Sequence, residues 1–329
     1  MKRGWRLAGI LAVGLLLASL RPGPAAAEGV NLKLAHVVSV NGAYHLGAQE
    51  FARLVGLKTQ GRLRITIYPN GVLGGGEKEI IEGMQQGKID LVVTSTGPIG
   101  TMVPQMAICD LPYLFRNTDH ADRVLDGGIG QLLMQDLAGV GIKGVAFWEN
   151  GFRHLTNSKR VVVTPEDMQG LTLRTMENEI HQDFFRQLGA KPVPLPWGKV
   201  YRALKNKTVD GQENPIAIIV SEKIYKVNRY LTLTRHVYSP ALLMMNAKTF
   251  EGLSAEDRQA ILEAGREAAW WERQFVRENE VRMLGELEAA GMVVVTPDRA
   301  PFRKAAQAVY KTYQDRIGKD LLRRIHRVK

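Results

Sequence analysis

Cysteine is almost absent, since Cys109 is the single thiol in 329 residues. One thiol excludes an intrachain disulfide and any thiolate metal cluster, so stability must come from an apolar core even in an oxidising compartment. The seven histidines (His36, His45, His120, His154, His181, His236 and His326) include no His-x-x-x-His pair, and no Gly-x-Ser-x-Gly elbow is present. The usual helical zinc motif and the hydrolase nucleophile motif are therefore missing. Aromatic residues make up 7% of the chain and the Lys and Arg residues are dispersed, which is not the clustered basic and aromatic footprint of a nucleic-acid surface. The longest N-terminal apolar run, Leu7 to Leu20, falls short of the roughly 20 residues that span a bilayer.

What is present begins with an export signal. Lys2, Arg3 and Arg6 precede the apolar run, Arg21-Pro22-Gly23-Pro24 breaks it, and Ala25-Ala26-Ala27 offers small side chains to a signal peptidase. Cleavage is expected before Glu28, giving a periplasmic product. Residues 1–27 carry four of the 44 basic residues and none of the 33 acidic ones, so the remainder is only moderately basic, at 40 against 33. The basic stretch Arg323-Arg324-Ile325-His326-Arg327 reads as a solvated tail. About 300 residues with this apolar content suit two domains of about 150 each.

From Asn31 the pattern alternates β-type runs and helical runs: 31–37, 44–58, 63–68, 77–86 and 89–94. Such a βαβαβ order predicts a mostly parallel sheet whose ligand crevice lies beyond the carboxyl ends of its strands. A second unit starts near Gly151, with a strand over 170–174, a helix over 177–188 and a strand end at 208–212. Between them, 191–196 with its three prolines reads as extended. Ser254 and Asp257 start a long helix that runs without proline to Gly291. Its apolar stripe, Ile261, Ala264, Ala268, Trp271 and Phe275, fails at Glu278 and resumes at Val281, Leu284 and Leu287. A phase slip of this kind predicts two packing partners, one in each domain, or a kinked helix within one.

Gly74-Gly75-Gly76-Glu77 sits where a phosphate loop would, but it lacks the Lys-Ser ending and puts a negative charge in the phosphate position. It reads as a tight turn whose Glu77 complements a helix dipole. Three places suggest binding instead. Arg174 ends a predicted strand, where its guanidinium fork matches a carboxylate. Asn214, in Asp210-Gly211-Gln212-Glu213-Asn214-Pro215, can donate to and accept from an oxygen-rich ligand, while Asp210 and Glu213 read as structural. Arg153, in Asn150-Gly151-Phe152-Arg153, stands near the domain crossing, either facing the ligand or paired with Glu149 or another acid.

These motifs, with Tyr68-Pro69-Asn70, Asp110-Leu111-Pro112-Tyr113-Leu114-Phe115 and Gly170-Leu171-Thr172-Leu173-Arg174, resemble the solute-binding subunits of tripartite ATP-independent periplasmic (TRAP) transporters, of the C4-dicarboxylate-binding type. The resemblance runs over nearly the whole chain after the signal. It implies an α/β, two-domain periplasmic binding protein fold with a ligand cleft between the domains and a long helix spanning both. Domain one is then 28–150 with 240–280, and domain two is 151–239 with 281–329. It further implies that Arg174 grips a ligand carboxylate, that Asn214 and Arg153 support it, and that Trp197 lines the pocket. His36 and Ser95 are looser correspondences. The implied function is capture of a small organic acid, C4-dicarboxylates first, for delivery to membrane permease subunits, with neither cofactor nor metal. A secreted enzyme acting on a carboxylate and a binding protein serving a sensor kinase are the alternatives.

Overall fold

A computed structural model describes Met1 and residues 29–329 of the chain; the export signal and its cleavage point lie outside the described residues. Eleven strands follow in order: β1 (Val30–Ala35), β2 (Leu63–Tyr68), β3 (Leu91–Ser95), β4 (Ile142–Phe152), β5 (His154–Asn157), β6 (Thr172–Thr175), β7 (Lys191–Pro194), β8 (Gly211–Asn214), β9 (Tyr230–Thr232), β10 (Tyr238–Asn246) and β11 (Val293–Val295). They form two sheets, ordered β2-β1-β3-β10-β4 and β11-β9-β5-β8-β6-β7.

Local sequence accounts for the first unit. Leu32 and Leu34 of β1 point inward on either side of exposed Lys33, while β3 is buried on both faces and carries an unbroken Leu-Val-Val run. The crossover helix Ala43–Lys58 turns Ala48, Phe51 and Val55 to the core at three- and four-residue spacing. Both sheets are mostly parallel, as expected, and each contains one reversed strand, β10 in the first and β5 in the second. In the first, β1 is parallel to β2 and β3, but β10 runs antiparallel to β3 and β4. In the second, β6 is parallel to β7 and β8, but β5 is antiparallel to β8 and β9. The reversal has a simple cause. β4 and β5 are separated by Arg153 alone, and β10 brings the chain back from the second sheet to the first.

The long helix, Ala255–Ala289, starts on the Ser254 cap, whose side chain accepts from the Asp257 N–H at 3.0 Å. Its first half buries Ile261, Ala264 and Ala268 in the core of the first sheet, and its second half buries Val276, Met283 and Leu287 in the core of the second. The stripe itself differs from the sequence reading. Trp271 is 36% exposed and Val281 83% exposed, while Glu272 and Arg273 point inward. The i+4 ladder through Ala264 and Ala268 continues through Glu272, whose burial is tolerated because it accepts the Glu149 N–H at 2.9 Å. Neighbouring Arg273 is held by Asp126 and the Phe147 carbonyl.

The C-terminus also departs from expectation. Lys319–Arg327 is a helix with Ile325 fully buried, and Arg116, His120 and Arg123 hold the carbonyls of Val328, Ile325 and Lys329. It therefore packs on the side of the first sheet, because those three cationic or polar groups satisfy the orphan carbonyls of its last turn.

Truncating Ile261 to alanine is expected to cost about 2–5 kcal/mol in urea denaturation, whereas Val281→Ala should change stability by less than about 0.5 kcal/mol.

Candidate functional site

The carboxyl ends of the parallel strands of both sheets converge on one chamber. β1 leads to Val37 and Val38, the turn after β2 to Glu77, and β3 to Thr94 and Ser95. From the other side β6 brings Arg174 and Met176, the segment after β7 brings Trp197, and β8 brings Asn214. Tyr44, Asn150, Arg153 and Ile218 complete the wall. The turn after β2 needs left-handed backbone at Asn70 (φ 58°) and Gly71 (φ 65°), which these residue types supply. The empty volume is at most about 330 Å³.

Arg174 is 1% exposed. Its Nε and Nη2 both donate to the Leu195 carbonyl, at 3.0 and 2.7 Å, and Nη1 has no protein partner among the described residues. The Trp197 ring lies 5.5 Å from the guanidinium carbon. Burial lowers the pKa to about 10, so the group remains cationic at neutral pH. It forms no ion pair among the described residues, so its charge is available to a guest.

Arg153 is placed differently. Its Nη2 donates to Glu213 Oε1 at 2.8 Å and to the Glu213 carbonyl at 2.6 Å, and its Nε pairs with Glu213 Oε2. Glu213, read as structural, is the fully buried counterion of Arg153. Burial alone would raise its pKa, yet Arg153 and a hydrogen bond from His236 outweigh that and hold the carboxyl well below the usual range. The alternative partner, Glu149, binds Arg277 at 2.6 Å instead. Asp210 keeps its structural role, accepting the Thr172 N–H at 2.9 Å.

Five of the six residues expected from sequence line the chamber: Arg174, Asn214, Arg153, Trp197 and Ser95. His36 does not. It lies beneath the lining, with Nε2 3.1 Å from His45 Nδ1, and burial with the neighbouring His45 drives its pKa down to about 3. A neutral imidazole there is core packing. Sequence reading missed Glu77, Tyr44, Thr94 and Asn150. Glu77 does open a helix, Glu77–Gln85, but its carboxylate also accepts the Trp197 N–H across the chamber at 3.3 Å. A carboxylate just beyond a strand end was the available signal.

Four buried polar atoms in this wall have no protein partner among the described residues: Tyr44 Oη, Thr94 Oγ1, Asn150 Oδ1 and Arg153 Nη1. Native interiors leave few such groups unsatisfied, so their convergence marks a polar binding site. A wider groove beside β4, bordered by Met134, Phe147 and Trp270, is larger, but its buried cation Arg273 is already paired with Asp126. Among the described residues no group of three or more His, Cys, Asp or Glu side chains is arranged to hold a metal.

Two sheets meeting at a buried polar chamber is the architecture implied by the sequence resemblance, and comparison with known proteins decides the matter. Residues 34–316 match the family model described as bacterial extracellular solute-binding protein, family 7. The chain belongs to that family. This solute-binding protein is similar to a TRAP periplasmic solute binding protein from a Polaromonas species bound to D-erythronate, at 40% identity, TM-score 0.89, covering 91% of this chain and 99% of the other. It is also similar to one from Sulfurospirillum deleyianum with bound succinate, at 31% identity, TM-score 0.86, covering 91% and 99%. The 2,3-diketo-L-gulonate-binding periplasmic protein of Escherichia coli is 36% identical over 84% of each chain. The two-domain cleft fold with a helix spanning both domains is the fold of this solute-binding protein.

Replacing Glu213 with Gln leaves a buried guanidinium uncompensated and is expected to cost about 3–5 kcal/mol in urea denaturation at pH 7. A depressed carboxyl pKa stabilises above its unfolded value and is lost as pH falls through the folded value. The gap between Glu213→Gln and the native chain should therefore stay constant from pH 7 to about 5 and narrow only below about pH 4.

Proposed function

We propose that the protein is a periplasmic receptor of a TRAP transporter that captures a small hydroxylated carboxylate and delivers it to membrane permease subunits. The observation that carries this reading is the mixed character of the chamber. It combines cationic donors, Arg174 Nη1 and Arg153 Nη1, with acceptors, Asn150 Oδ1 and Glu77, and with the hydroxyls of Tyr44 and Thr94.

Two guanidinium donors recognise a carboxylate, and in a dry cleft each charge-assisted hydrogen bond contributes about 1.5–3 kcal/mol. Capture at micromolar affinity, about 8 kcal/mol, then needs only a few further contacts. The acceptors select what else the guest carries. A plain dicarboxylate has no proton to offer Asn150 Oδ1 and brings a second negative charge toward Glu77, whereas a hydroxy acid satisfies both. This favours four- to six-carbon hydroxy or sugar acids within the small organic acids that relatives bind, ahead of the unsubstituted C4-dicarboxylates first expected. Site roles follow: Arg174 and Arg153 on the carboxylate, Asn214 and Ser95 beside it, Trp197 as an apolar wall, and Glu77 on a hydroxyl.

Binding rather than turnover is supported by Ser95, the one hydroxyl from the sequence prediction: its Oγ donates to the Met176 sulfur at 3.2 Å and makes no hydrogen bond to a base among the described residues.

A thermal-shift series with D-erythronate, galactonate and succinate tests the assignment, since a ligand at 100 times its dissociation constant stabilises by about 2.7 kcal/mol. Arg174→Ala is expected to weaken the preferred acid by about 100-fold or more, and Glu77→Gln to weaken hydroxy acids while leaving or improving succinate. Succinate binding tighter than any hydroxy acid, or Arg174→Ala binding at native affinity, refutes the reading. Recovery of unchanged acid after prolonged incubation separates a receptor from an enzyme.

A further inference from the structure

Each parallel strand of the first sheet sends one loop across the mouth of the chamber. After β1, the Ser39 N–H donates to the Glu222 carboxylate at 2.7 Å. After β2, the Gly75 carbonyl accepts the Gly198 N–H at 3.0 Å. After β3, the Gly97 carbonyl accepts from the Asn178 amide at 3.1 Å. Glu77 and Trp197, on opposite walls, lie directly beside the middle contact.

Glycine occupies the closest approaches. A Cβ at Gly198 would stand 2.5 Å from the Gly75 carbonyl oxygen, one at Gly76 2.8 Å from the Pro196 Cβ, and one at Gly97 2.7 Å from the Met176 methyl. For all three positions the three nearest atoms belong to the opposite lobe. None of the three has a left-handed φ, so alanine is conformationally acceptable at each within its own lobe. Gly76 is also the N-cap of the helix Glu77–Gln85, but at all three positions the tightest encounter of an added Cβ is across the cleft.

We propose that Gly76, Gly97 and Gly198 are positioning residues for ligand capture. Their missing side chains set how near the lobes can come, and hence whether Arg174 and Trp197 from one side and Glu77 from the other reach the same guest. This rests on a receptor that closes, but not on which acid it takes. The opposing atoms rank the three. A backbone carbonyl facing Gly198 and a proline ring facing Gly76 cannot yield, whereas the end of the Met176 side chain can swing away from Gly97.

A disulfide trap in the mature chain tests this without any ligand. Ser39 Oγ lies 3.5 Å from the Ser221 carbonyl across the mouth, so a Ser39→Cys, Ser221→Cys parent captures the closed form under oxidation whenever thermal motion visits it. Adding Gly198→Ala or Gly76→Ala is expected to slow trapping by about tenfold or more, with the melting temperature of the reduced protein within about 2 °C of the parent. Gly97→Ala should slow it by less than about threefold. Trapping by Gly198→Ala as fast as the parent, or a parent that never traps, overturns the proposal. A second arm titrates D-erythronate, galactonate and succinate into the protein without added cysteines. No acid bound with the trapping order intact sinks the functional reading and leaves this inference standing; binding that survives Gly198→Ala unchanged, with equal trapping, sinks the inference alone.

Discussion

Arg153 is the one residue between the last strand segment of the first sheet and the first strand of the second, and it is fully buried there. A guanidinium in that position is costly unless compensated, and Glu213 compensates it through both carboxylate oxygens and its carbonyl. The pair makes the crossing between lobes electrically neutral while leaving Arg153 Nη1 directed at the chamber. Arg174 is held by a different device, since a neutral carbonyl, Leu195, orients two of its nitrogens without cancelling its charge. Arg153 is therefore neutralised within the fold, while Arg174 has no ion-pair partner among the described residues. Both are oriented beforehand, which spares the ordering cost that a mobile arginine would incur on binding.

The back of the molecule solves a related problem with the long helix. Its middle carries Glu272, Arg273 and Arg277 against β4, where Arg277 binds Glu149 and Asp122 and Arg273 binds Asp126. Burial raises Glu149 to about 7 despite Arg277 beside it, and it pushes Glu272 well above the carboxylate range. These polar residues, in the seam between two apolar halves, fix the helix on the first lobe. The front of the cleft is built from loops at strand ends, and the back from one rigid rod and two short chain crossings.

Much of the fold was legible because periodicity is local. β2 matches the run read from sequence at 63–68, the capped helix starts after Ser254, and the proline-rich 191–194 is extended as β7. The failures share a cause as well. The stripe through Trp271 and Phe275 left Glu272 and Arg273 out of the packed face, and the basic C-terminus was read as a solvated tail, because an ionisable group on its own is expected outside. Each is buried by a partner remote in sequence: Glu272 by the Glu149 N–H, Arg273 by Asp126, and the last helix by Arg116 and His120. No window of neighbouring residues contains that information.

What the sequence alone determined was the class of molecule: two α/β units, an arginine at a strand end suited to a carboxylate, and a family motif around Asn214. These follow from residue type, spacing and strand polarity, all of which survive in one dimension. The tertiary structure decided which arginine keeps its charge free, that Glu77, Tyr44, Thr94 and Asn150 share the wall with it, and that His36 lies behind. Burial and pairing across two lobes set those outcomes, and both depend on distances that exist only once the chain has folded.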